Sequence, residues 1–150
     1  MNPTVSWTCD HCQAPIEKIE HGWLEWLIPA KGKTCELPLR IVHNREACCY
    51  RGRERELLTQ GLHVQDMHLN FYTGHDGLIQ LLRVLSEGQA PKDSVIEAIK
   101  RLHIPGYERA RSQFKRAIAA GVFEANTTAG FYPMCDIEAV NAWLDSGGNE

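Results

Sequence analysis

Cys9-Asp10-His11-Cys12, near the start of the chain, and Leu39-Arg40-Ile41-Val42-His43-Asn44-Arg45-Glu46-Ala47-Cys48-Cys49, further along, are the stretches whose reading decides the fold. A Cys-x-x-Cys pair presents two thiolates from one tight knuckle, and a distant second pair completes a tetrahedron around a zinc ion. The apolar run Leu39 to Val42 reads as a strand that delivers His43. Asn44 to Ala47 reads as a turn that returns Cys48. The expected ligands are therefore Cys9, Cys12, His43 and Cys48. Cys49 is the alternative to Cys48, since neighbours in an extended segment face opposite ways and cannot both reach one ion. His11, inside the knuckle, is a further candidate. Four protein ligands close a zinc site, which makes it scaffolding and moves the search for function towards what the chain binds.

Composition narrows the classes. The chain has 150 residues, 43% of them apolar, enough for one compact domain or two small ones. A net charge of −3 excludes a uniformly basic nucleic-acid binder but not a local basic face. Met1-Asn2-Pro3-Thr4 lacks the charged and apolar regions of a secretion signal. Trp23 to Ala30 contains Glu25 and Pro29 and is too short to span a bilayer. The expectation is a soluble, cytoplasmic protein, in which six cysteines point to metal binding or plain thiols rather than a disulfide framework. Cys35 and Cys135 read as small hydrophobes outside the site.

Three segments are expected. Residues 1–55 form a small β-rich module, with a short strand at Trp23-Leu24-Glu25-Trp26-Leu27 and a turn at Lys31-Gly32-Lys33. Residues 56–75 read as a connector. Residues 76–150 are mainly helical. The first helix there, about 77–86, carries a stripe of Leu78, Leu81, Leu82 and Leu85, with Ile79 and Val84 off it. The second, about 92–103, places Val95, Ala98, Ile99 and Leu102 on one face. The third, about 106–120, has its stripe at Tyr107, Ala110, Phe114, Ala117 and Ile118 and stops at Gly121. Val122-Phe123-Glu124 and Gly130-Phe131-Tyr132 then read as a hairpin, and Asp136 caps a last helix with Ile137, Val140, Trp143 and Leu144.

Helices, a tight turn at Ile104-Pro105-Gly106, a further helix and a hairpin make the order of a winged helix-turn-helix. On that reading Arg109, Arg111, Gln113, Lys115 and Arg116 are the nucleic-acid-binding residues, because Arg and Lys supply both base readout and phosphate neutralisation. The fold class expected is α+β: a zinc-stapled β-rich module followed by a mainly helical, winged domain.

The Cys9, Cys12, His43 and Cys48 arrangement resembles the treble-clef and zinc-ribbon modules of small bacterial and phage proteins. The second pair departs from their usual Cys-x-x-Cys or His-x-x-Cys spacing. Residues 92–146, ending in Phe131-Tyr132-Pro133, Asp136-Ile137-Glu138-Ala139 and Trp143-Leu144, resemble small winged-helix regulators of the excisionase kind. His43-Asn44 beside the knuckle also resembles the HNH nucleases, but no paired His follows it. Three functions are expected to compete: a zinc-stabilised DNA-binding regulator, a protein-interaction adaptor that self-associates or holds a protein partner, and an HNH-like nuclease. No Walker loop, dinucleotide fingerprint, Gly-x-Ser-x-Gly or His-Glu-x-x-His is present, so the expectation leans away from an enzyme.

Overall fold

The structure, a computed structural model, describes residues 6–148. Strand β1 (Trp7–Thr8) pairs antiparallel with β2 (Pro15–Ile16), bracketing the knuckle. Strand β3 (Gly22–Pro29) is the centre of a three-stranded antiparallel sheet, with β4 (Arg40–His43) on one side and β5 (Leu62–His68) on the other. The register sets Glu25 opposite both Arg40 and Asp66.

β3 is apolar on both faces because both are covered. Leu24 and Trp26 point into a core made with Ile41, Leu69 and Tyr72. That core is closed by Leu81 and Val84 of helix α2 (Gly74–Ser86) and by Val95 and Ala98 of helix α3 (Lys92–His103). α2 can begin so close to Tyr72 because Gly77 has no Cβ; one built there would collide with the Tyr72 backbone. On the opposite face Leu27 packs with Tyr50, Val64 and Leu57, the last from the short helix α1 (Glu54–Thr59).

Glu25 lies between those apolar residues with its side chain at 0% exposure. Its carboxylate accepts Arg40 Nε at 2.6 Å and the Tyr50 backbone N–H at 2.8 Å. The Arg40 guanidinium also lies over the Tyr50 ring, 3.8 Å from its centroid. Burial pushes the Glu25 carboxyl up, against the Tyr50 N–H and Arg40, which pull it down.

The chain divides into two compact units, Met1–His103 and Ile104–Glu150. This differs from the expected boundaries. Residues 62–68 are not connector but the third strand of the sheet, and α2 and α3 belong to the core of the first unit. The polar look of β5 has a physical cause. Val64 meets α1, whereas His63, Gln65 and Met67 alternate onto an exposed face. The α2 stripe is also corrected: Leu81 and Val84 are buried, while Leu82 and Ile79 are 48% and 58% exposed.

In the second unit the expected third helix is two short ones, α4 (Tyr107–Ala110) and α5 (Phe114–Ala119), separated by a turn closed by Gln113 N–H to Ala110 O. The stripe holds in part: Tyr107, Ala110, Phe114 and Ala117 are buried against Ile137, Val140 and Leu144 of helix α6 (Met134–Asp145), whereas Ile118 is only half-buried. The expected hairpin is absent, since no strand occurs among the described residues after His68. An isolated two-stranded ribbon is marginal in water. Phe123 and Tyr132 instead turn inward onto the Phe114 ring, at centroid distances of 6.3 and 4.6 Å. The wing of a winged helix is therefore missing, and the architecture is α+β: two small sheets followed by a mainly helical region. No helix among the described residues is long and apolar enough to cross a membrane.

Glu25→Ala leaves Arg40 without its carboxylate in a largely buried site. Removing one member of such a pair costs about 3–5 kcal/mol, so a large fall in the urea midpoint is expected. A midpoint within error of the parent protein contradicts the structural weight given to this pair.

Candidate metal centre

Hydrogen bonds shape the knuckle first. Gln13 N–H returns to Cys9 O at 2.9 Å, and Cys9 N–H reaches Ala14 O at 2.9 Å. Closing so tight a loop puts Gln13 in the left-handed region, at φ 64°, which costs a non-glycine residue about 1–2 kcal/mol. Gln13 Nε2 offsets part of this by donating to Asp10 O at 3.1 Å.

Asp10, between the two cysteines, ties the knuckle to the sheet and to α3. Its Oδ2 accepts Ile41 N–H at 2.8 Å, and its own N–H donates to Ile41 O at 2.8 Å. These bonds occupy the outer edge of β4. Arg101, 5% exposed, donates to both Asp10 oxygens at 2.9 and 2.7 Å and to Thr8 O at 2.9 Å.

The second half of the site arrives on β4 and the turn after it. His43 N–H points at Cys9 Sγ, 3.4 Å away. Its Nδ1 lies 3.4 Å from Cys12 Sγ and 3.9 Å from Cys48 Sγ. Its Nε2 faces Pro15 O at 3.2 Å. A carbonyl only accepts, so Nε2 carries the proton and the Nδ1 lone pair faces the Cys12 and Cys48 sulfurs. Cys48 is set by Arg40, whose Nη2 donates to Cys48 O at 3.0 Å. The buried Glu25–Arg40 pair thus extends directly into the site.

The donor atoms of Cys9, Cys12, His43 and Cys48 all lie within 4.8 Å of one another. This Cys3His cluster is compatible with a metal ion. Cys48 rather than Cys49 is the converging neighbour: Cys49 turns into the apolar core. His11 is exposed and outside the cluster. The Cys12 thiol is pushed down to about 6, first by a backbone hydrogen bond from Ala14 and then by Cys9, Cys48 and Arg45, while burial opposes them. Burial pushes the Cys48 thiol up, against the pull of Arg45.

Sequence reasoning missed the residues that hold this cluster: Glu25, Arg40, Asp10, Arg101 and Arg45. One signal was readable. A glutamate inside Trp23-Leu24-Glu25-Trp26-Leu27 is a charge in an apolar strand, and a buried charge requires a partner.

The expected nucleic-acid-binding residues lie together on α4, the following turn and α5, but several are engaged within their own unit. Arg109 pairs with Asp145 at 2.7 Å. Arg116 donates to Gln113 Oε1 at 2.8 Å and lies over the Trp143 ring at 5.8 Å. Lys115 is exposed, and Arg111 is half-buried.

Cys48→Ser is expected to abolish stoichiometric metal binding, and Cys49→Ser to retain it. Elemental analysis of protein purified without chelator separates the two. Equal metal content in both variants contradicts the ligand set. Compared with family models, curated proteins and solved structures, the chain matches none; its site is defined by its own geometry.

Proposed function

We propose that the protein is a zinc-stapled binding protein whose metal is structural. The observation that carries this is the convergence of Cys9, Cys12, His43 and Cys48. Zinc bonds of about 2.3 Å to sulfur and 2.0–2.1 Å to nitrogen put tetrahedral ligands about 3.5–3.8 Å apart. The 3.4 and 3.9 Å separations from His43 Nδ1 fit that figure. Three thiolates and one imidazole fill a zinc ion's four positions and leave none for substrate. Both ring nitrogens of His43 are engaged, which argues against a nuclease base there.

Two readings of the partner remain in competition. Nucleic acid is supported by the clustering of Arg109, Arg111, Gln113, Lys115 and Arg116, and weakened by the Asp145 and Gln113 contacts, the broken helix and the missing wing. A protein partner is supported by Ile79 and Leu82, exposed three residues apart on α2. The second has the better geometric support, because those apolar side chains stand in water on a regular helix.

The 150-residue chain is expected to carry one zinc and to lose several degrees of melting temperature on chelation; zinc content near zero with an unchanged melting temperature ends this reading. Nucleic-acid affinity, where measurable, is expected to be weak and insensitive to Arg109→Glu. A steep linear fall of log affinity with log salt, lost on that reversal, would install the nucleic-acid reading instead.

A further inference from the structure

The four ligands are not equally covered. Cys9 and Cys48 are 0% and 2% exposed, and Cys12 is the cysteine of the cluster that meets solvent. Arg45 stands beside that opening. It lies in the turn between His43 and Cys48, where its carbonyl accepts Cys48 N–H at 2.9 Å and Cys49 N–H at 3.1 Å. From there its guanidinium forks: Nε donates to Cys48 Sγ at 3.3 Å, and Nη2 to Cys12 Sγ at 3.6 Å. The head group therefore bridges the buried sulfur and the exposed one.

Three thiolates and a neutral imidazole around a dication carry one net negative charge, held mostly on sulfur. Such a sulfur attacks a soft electrophile through its remaining lone pairs. N–H donors directed at those lone pairs withdraw electron density and occupy the approach. Arg presents two donors in a rigid fork, which the point charge of Lys cannot reproduce. Building on the zinc reading, we infer that Arg45 is a positioning and shielding residue, which neutralises the cluster and protects the exposed Cys12 thiolate from soft electrophiles. The reaction it opposes is simple alkylation. With iodoacetamide the Cys12 sulfur attacks the methylene carbon, the new C–S bond forms, the C–I bond breaks, and iodide leaves with the electron pair. The resulting thioether is a poorer zinc ligand, so the ion loosens.

The test uses the zinc-loaded 150-residue chain and iodoacetamide. Alkylation is followed residue by residue by mass spectrometry, and zinc release by a chromogenic chelator. Arg45→Ala and Arg45→Gln are compared with Arg45→Lys. Cys135 is exposed and outside the cluster, and its rate serves as an internal control for folding and reagent strength. The expected result is Cys12 alkylation several-fold faster in the Ala variant, an intermediate rate in the Lys variant, and an unchanged Cys135 rate. Zinc affinity is expected to fall about tenfold in the Ala variant, the low end for loss of a partner to a metal ligand. Cys12 rates equal across parent, Ala and Gln variants overturn the inference, as does a Lys variant that matches the parent. Parent protein that holds no zinc would instead refute the metal reading, a distinct outcome visible before any reagent is added.

Discussion

The Glu25 carboxylate, sealed beneath Tyr50, accepts one hydrogen bond from Arg40 and one from the Tyr50 backbone. Arg40 passes the constraint on by donating to the Cys48 carbonyl. A single ionised group on the central strand therefore fixes the neighbouring strand and the loop that presents a sulfur. Pairs of this kind add little net stability over an apolar replacement, because desolvation offsets most of the attraction. Their value is directional. An apolar residue at position 25 could fill the space, but it could not set the Cys48 backbone to within hydrogen-bond tolerance.

The knuckle is held from the other side by a second charged pair. Arg101 crosses from α3 to Asp10, and Asp10 in turn occupies the backbone groups of Ile41. The two halves of the cluster are thus anchored to different bodies, one to a helix and the other to the central strand. They meet at β4, which touches both. The convergence of the three sulfurs and the imidazole thus rests on hydrogen bonds and ion pairs of the framework around them.

The Cys9, Cys12, His43 and Cys48 cluster is legible in the sequence because a Cys-x-x-Cys knuckle is local: its geometry is encoded within four residues. His43 and Cys48 are readable for the same reason, on one short strand and one turn. The supports are not. The Glu25–Arg40 contact depends on strand register, and Asp10 and Arg101 lie on elements brought together only by the finished fold. Periodicity finds α3 and the buried stripe of α4 and α5, yet it cannot see the turn at Arg111–Gln113. Val122-Phe123 and Phe131-Tyr132 have strand composition, but Phe123 and Tyr132 turn their rings onto Phe114, and a two-stranded ribbon without support is marginal in water. β5 escapes a reading by pattern because Asp66, paired with Arg51, stands on the face of Leu62 and Val64 where alternation calls for an apolar residue.

The spacing of the four donors along the chain separates what is local from what is not. Cys9 and Cys12 are brought together by their own short loop, whereas His43 and Cys48 reach them through the pairing of Gly22–Pro29 with Arg40–His43. Half of the cluster is thus a property of one loop and half a property of the sheet, while the apolar bed beneath Leu24 and Trp26 is built from other residues.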